Sequence, residues 1–68
     1  MKIPDNMPLR ILQYRARHSI GQREFARRCG LTVQTVGNVE NRVRPTASQM
    51  TLMKIEMVLA EDRKEQST

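Results

Sequence analysis

An all-α domain is what this sequence predicts, and three observations predict it. Apolar residues recur at helical spacing in four successive stretches. Gly30 and Pro45 interrupt that pattern where the chain must turn. A length of 68 residues allows one small core and no second domain. With Tyr14 and Phe25 the two aromatic residues, the core must be built largely from Leu, Ile, Val, Met and Ala.

The first helix enters at Asn6 and Pro8, because proline is tolerated in a first helical turn. Its inward stripe is expected to be Leu9, Leu12 and Ala16, joined by Ile11 and Arg15, and it stops at His18, Ser19, Ile20 and Gly21. His18 closes it with a side chain whose cationic form suits the negative end of a helix. The second helix starts near Gln22, turning Phe25, Ala26 and Cys29 inward and Arg23, Arg27 and Arg28 outward to solvent. Gly30 follows the last apolar position, where glycine takes a positive φ without a Cβ clash. Thr32 is placed to cap the third helix, which carries Val36 and Val39 inward and ends in the loop from Asn41 to Pro45. Thr46 and Gln49 have capping-box spacing, and the last helix runs through Leu52, Ile55 and Leu59. The single domain spans residues 1–68, with a core over about 8–60 and a polar tail, EDRKEQST, over 61–68 that is expected to fray. Two short helices meeting at Gly30 form a helix-turn-helix.

Charge narrows the function. Residues 1–55 carry ten Lys or Arg against Asp5, Glu24 and Glu40, and nine of the chain's twelve cations are Arg. Arginine suits phosphate and base-edge contacts, so this basic body points to a polyanionic partner. One His, one Cys and no paired carboxylates beside them give no nucleophile, base or metal set, so an enzyme is not expected. Two aromatic residues, both on apolar faces, give no platform for stacking RNA bases. The single Cys29, expected in the core, excludes an internal disulfide or a cysteine-rich zinc site and points to a reducing compartment. The N-terminal MKIPDNMPL shows no export signal, and no run approaches the roughly 18 apolar residues of a membrane span. The cytoplasm is the expected setting, with no cofactor, metal, membrane or small-molecule ligand implied.

The stretch QREFARRCGLTVQTVGNVE, from Gln22 to Glu40, sets Gln22, Ala26 and Gly30 four residues apart. Phe25, Cys29, Leu31, Val36 and Val39 hold apolar positions at fixed offsets around them. With Arg15 in the first helix and Glu40 at the motif's end, the sequence resembles the DNA-binding domain of the phage repressor, Cro and Xre-type regulators, over about Leu9 to Leu59. The resemblance implies a compact four- to five-helix lambda-repressor-like fold. It also implies a sequence-specific double-stranded DNA-binding transcriptional regulator, a repressor, whose third helix reads the major groove.

Carried over position by position, the base-contacting residues are Thr32, Val33, Gln34, Gly37 and Asn38. Gln34 and Asn38 have the amide geometry for a bidentate contact to adenine, and Val33 and the Thr32 methyl suit a thymine methyl. Gly37, expected on the exposed face, is read as letting the helix approach base edges more closely, the alternative being a tolerated defect in a helix held by Val36 and Val39. Gln22, Thr35, Asn41, Arg42 and Arg44 would grip phosphates, and Arg15 and Glu40 would form a structural ion pair. The sequence departs from the family pattern in having Gly21 before Gln22, where Ser or Asn is usual, and Arg42 where Gly is usual. It also leaves few residues beyond Leu59 for the fifth helix that often makes dimer contacts.

On a projection at about 100° per residue, Met50, Met53 and Met57 form a stripe nearly opposite Leu52, Ile55 and Leu59. One short helix in so small a domain is not buried all round. These methionines are therefore the expected dimer interface, in a homodimer on a palindromic operator. The alternative is a protein-interaction or antitoxin-like regulator built on the same scaffold.

Overall fold

The computed structural model describes residues 1–66, with side chains to Glu61, and contains four helices. They are α1 (Met7–His18), α2 (Gln22–Cys29), α3 (Val33–Glu40) and α4 (Gln49–Gln66). Asn6 stands at the start of α1 and Pro8 lies in its first turn. The buried face of α1 differs from the expected one: Met7, Ile11 and Tyr14 turn inward, while Leu9 and Leu12 are 56% and 54% exposed and Ala16 is exposed. Both stripes have helical spacing and lie on opposite sides of the same helix. The one that wins carries Tyr14, whose ring meets Phe25 edge-on with centroids 5.4 Å apart.

The pair α2 and α3 packs as expected, burying Phe25, Ala26 and Cys29 against Val36 and Val39. Phe25 is fully buried, and a ring of that size contributes about 1.5–3 kcal/mol on burial. Gly30 takes φ 73°, and Leu31 N–H donates to Ala26 O at 2.8 Å, closing α2 in a left-handed C-terminal motif. Two non-glycine residues repeat this closure. Ser19 (φ 55°) ends α1, with Ile20 N–H on Arg15 O, and Arg42 (φ 50°) follows α3, with Val43 N–H on Asn38 O.

The cap of α4 also differs from the expected one. Ser48, not Thr46, accepts from Thr51 N–H at 3.1 Å. The reason lies in the N-terminal segment, which runs antiparallel to residues 45–47. Ile3 N–H donates to Pro45 O at 3.1 Å, Ala47 N–H donates to Met1 O at 2.9 Å, and Lys2 bridges Thr46. That pairing keeps Thr46 extended, so the helix begins after it. Ile3, 1% exposed, thereby joins Met7, Leu52, Ile55, Val58 and Leu59 in the core.

The helical backbone of α4 continues past Leu59 to Gln66. Glu, Arg, Lys and Gln all favour helix there, and neither Gly nor Pro intervenes. Of the polar tail expected to fray, residues 67 and 68 lie outside the described residues. Arg10 joins α1 to α4 through Glu56 at 2.6 Å, and both side chains are partly exposed, 28% and 44%. Such a pair is worth less than about 1 kcal/mol.

Candidate nucleic-acid interface

Because Val36 and Val39 point into the core, the helical repeat turns Gln34 and Asn41 outward, with half-buried Asn38 at the margin of that face and Val33, 43% exposed, to one side. Thr32 Oγ1 accepts from Thr35 N–H at 3.2 Å and lies 2.8 Å from Thr35 Oγ1. The hydroxyl of exposed Thr32 is thus engaged in capping.

One edge of this face is the start of α2. Arg15 Nη1 donates to both carboxylate oxygens of Glu40 at 2.8 Å, and Gln22 Nε2 donates to Glu40 Oε2 at 2.8 Å. Arg15 is 21% and Glu40 10% exposed, so Glu40 contributes no free charge to the outward face. Arg15 Nε is buried without a hydrogen-bond partner. Gly37 is half-buried and faces Gln22, so it does not stand open to solvent as expected from the sequence. A Cβ there would lie 3.8 Å from Gln22 Oε1 and 4.0 Å from Nε2, an ordinary contact. The Gln22 amide keeps its oxygen and a second N–H beyond the Glu40 bond.

The other edge is the loop between α3 and α4. A groove of about 260 Å³ runs there, lined by Thr35, Asn38, Arg44, Thr46, Ser48 and Thr51 among others. Arg44 is exposed and has no ion-pair or hydrogen-bond partner among the described residues. Arg42 is differently placed. Its Nη2 donates to the carbonyl oxygens of Asp5 at 2.6 Å and Pro4 at 3.2 Å, and lies 4.0 Å from Asp5 Oδ1. The hydroxyls of Thr46, Ser48 and Thr51 are groups that the sequence does not mark as site residues. Their signal, the run TASQMT before α4, reads as capping alone.

The α2 cations divide. Arg23 is exposed, and Arg27, 84% exposed, reaches Glu24 only at 3.8 Å. Arg28 is tied back instead, donating from Nη1 to Tyr14 Oη at 3.0 Å and from Nε to Glu24 at 3.2 Å. The Tyr14 bond first, then Glu24, holds its guanidinium still further above the usual range. Cys29 is buried, and that burial pushes its thiol up to about 11, as suits a small core residue.

On α4, Met50, Met53 and Met57 are 66%, 56% and 63% exposed. Beside them an apolar groove of about 370 Å³ is lined by Met1, Pro4, Met7, Leu52, Met53 and Met57, among others. Among the described residues no helix is long and apolar enough to cross a membrane. Among protein families, a model described as helix-turn-helix matches residues 11–65, most of the chain. No curated protein and no solved structure matches it.

Proposed function

The chain belongs to the helix-turn-helix family of DNA-binding transcription regulators, and from that premise we propose that it is a sequence-specific repressor that reads the major groove with α3. The observation that carries this reading is the outward face of α3. Gln34 and Asn38 lie about one turn apart on it, and Glu40 is turned away to Arg15 and Gln22. Two amides on a face without a carboxylate suit adenine N6 and N7, and Val33 with the Thr32 methyl suits neighbouring thymine methyls. Gly37 leaves the helix surface low between Gln22 and Asn38. Phosphates fall to Gln22, Thr35, Asn41 and Arg44, with Thr46 added from the groove, where Ser48 Oγ is engaged with Thr51. Arg42 leaves that set because its Nη2 is engaged with Pro4 and Asp5.

Selection of bound sites from a random DNA pool tests the reading and yields the operator. On that site Gln34→Ala or Asn38→Ala is expected to cost about 1–3 kcal/mol and relax preference at one base pair. Equal loss on selected and random DNA would make these residues backbone contacts.

A helix-turn-helix monomer covers one half-site, and dimers cover two, so a homodimer on a palindromic operator completes the proposal. The exposed methionines of α4 are its interface. Met53→Lys combined with Met57→Glu leaves Leu52, Ile55 and Leu59 in the core. It is expected to abolish cooperative occupancy of a two-half-site operator while sparing weak single-site binding. Titration and ultracentrifugation decide the matter: undiminished cooperativity places the partner surface elsewhere.

A further inference from the structure

We infer that Arg42 is a positioning residue, one that fastens the α3–α4 loop to the N-terminal segment and so presents Arg44 to a DNA phosphate. The inference rests on the DNA-binding reading above and adds to it a division of labour between two neighbouring arginines.

Arg42 sits at φ 50°, a region that disfavours any side chain bearing a Cβ and in which glycine is at ease. Two side-chain bonds help to hold the arginine there. Nη2 donates to Asp5 O and Pro4 O, both carbonyls of the N-terminal segment. A guanidinium aimed at these carbonyls is not aimed at a polyanion.

Just beyond Arg44 the same segment is fastened again. Pro45 O accepts from Ile3 N–H, Thr46 bridges Lys2, and Ala47 N–H donates to Met1 O. Buried Ile3 anchors the segment in the core. Arg44 therefore stands between two attachments to one splint, and the following Pro45 further restricts its backbone to extended conformations. Its own side chain has no partner among the described residues and lines the groove with Thr35, Asn38, Thr46 and Ser48. One guanidinium nitrogen is committed at Arg42, and the whole guanidinium is available at Arg44.

The test is the salt dependence of affinity for a mixed-sequence DNA duplex, measured for the parent, Arg42→Gly, Arg44→Ala and the double variant. Each phosphate that a variant no longer neutralises lowers the magnitude of the slope of log K against log salt by about 0.9. Both single variants are expected to drop by about that much, and the double variant no further, because Arg42 acts through Arg44. A double variant whose slope drops twice as far overturns the inference, since Arg42 then grips a phosphate itself. An unchanged slope in Arg42→Gly with a lowered melting temperature also overturns it, since Arg42 is then structural alone.

Glycine accepts the local φ, and Arg42→Asn, the other side chain tolerant of it, is run beside it and expected to match. Hydrogen exchange at the Ile3 amide tests the fastening without DNA. It is expected to accelerate in Arg42→Gly, and unchanged exchange refutes the splint. A parent that shows no salt-dependent DNA binding while Ile3 exchange still responds would overturn the DNA-binding reading, and with it the role given to Arg44.

Discussion

At its N-terminal end α3 is held by residues that are its neighbours in the chain. Gly30 supplies the left-handed turn, and Thr32 caps the helix through Thr35 N–H. At its C-terminal end the helix is held by residues far away. Glu40 takes Arg15 from α1 and Gln22 from α2, and Arg42 reaches the carbonyls of Pro4 and Asp5. The front of the helix is fixed by local devices alone, whereas the back adds long-range charged side chains to its own left-handed closure at Arg42. Of the residues proposed to meet base edges, Val33 and Gln34 sit near the front and Asn38 toward the back. The local devices set the start of the helix, and the long-range ones tie its end to the rest of the fold.

Breaking the back is expected to have the largest effect. Glu40→Gln leaves the Arg15 guanidinium, 21% exposed, without its counter-charge. The loss is expected near the lower end of the range for breaking a buried pair, about 3 kcal/mol, because both groups retain some solvent. In a domain of this size that lowers Tm by more than about 10 °C. A melt within a few degrees of the parent would show that the pair does not secure this end.

Damage at the front is expected to be smaller. Gly30→Ala meets no atom within 4 Å, so its whole cost is the φ of 73°. About 1–2 kcal/mol is expected in thermal or denaturant melts, and a loss below about 0.5 kcal/mol would mean the turn relaxes freely. Smallest is Thr32→Ala, which removes the cap to Thr35 N–H and should cost about 1 kcal/mol. Thr32→Ser should restore it, and failure of that rescue would assign the loss to the methyl group and not to the cap.

The same contrast explains what is legible in the sequence. Gly30, Thr32, Phe25, Ala26, Cys29, Val36 and Val39 act within one short stretch, where spacing alone states their roles. Leu9 and Leu12 mislead because α1 carries two apolar stripes of equal periodicity. The choice between them depends on Tyr14 meeting Phe25, a contact between different helices. Thr46 misleads because its capping-box spacing says nothing of Lys2, which pairs with it from the other end of the chain. Gln22 is expected as a phosphate ligand by resemblance, and Arg42 from its place in the loop after α3. Their intramolecular partners, Glu40 and the carbonyls of Pro4 and Asp5, lie 18 to 38 residues away in sequence, beyond the reach of any local pattern.

Cys29 gives the molecule a built-in clock. Its side chain is 6% exposed and its thiol is pushed up to about 11 by burial, so the native state holds almost no accessible thiolate at neutral pH. A thiol-specific reagent meets a reactive sulfur only in molecules whose core around α2 has opened. With one cysteine in the chain, the rate of modification at fixed pH counts those openings where the reagent outpaces reclosing. The residue least concerned with any ligand thus times how frequently the helix-turn-helix comes apart.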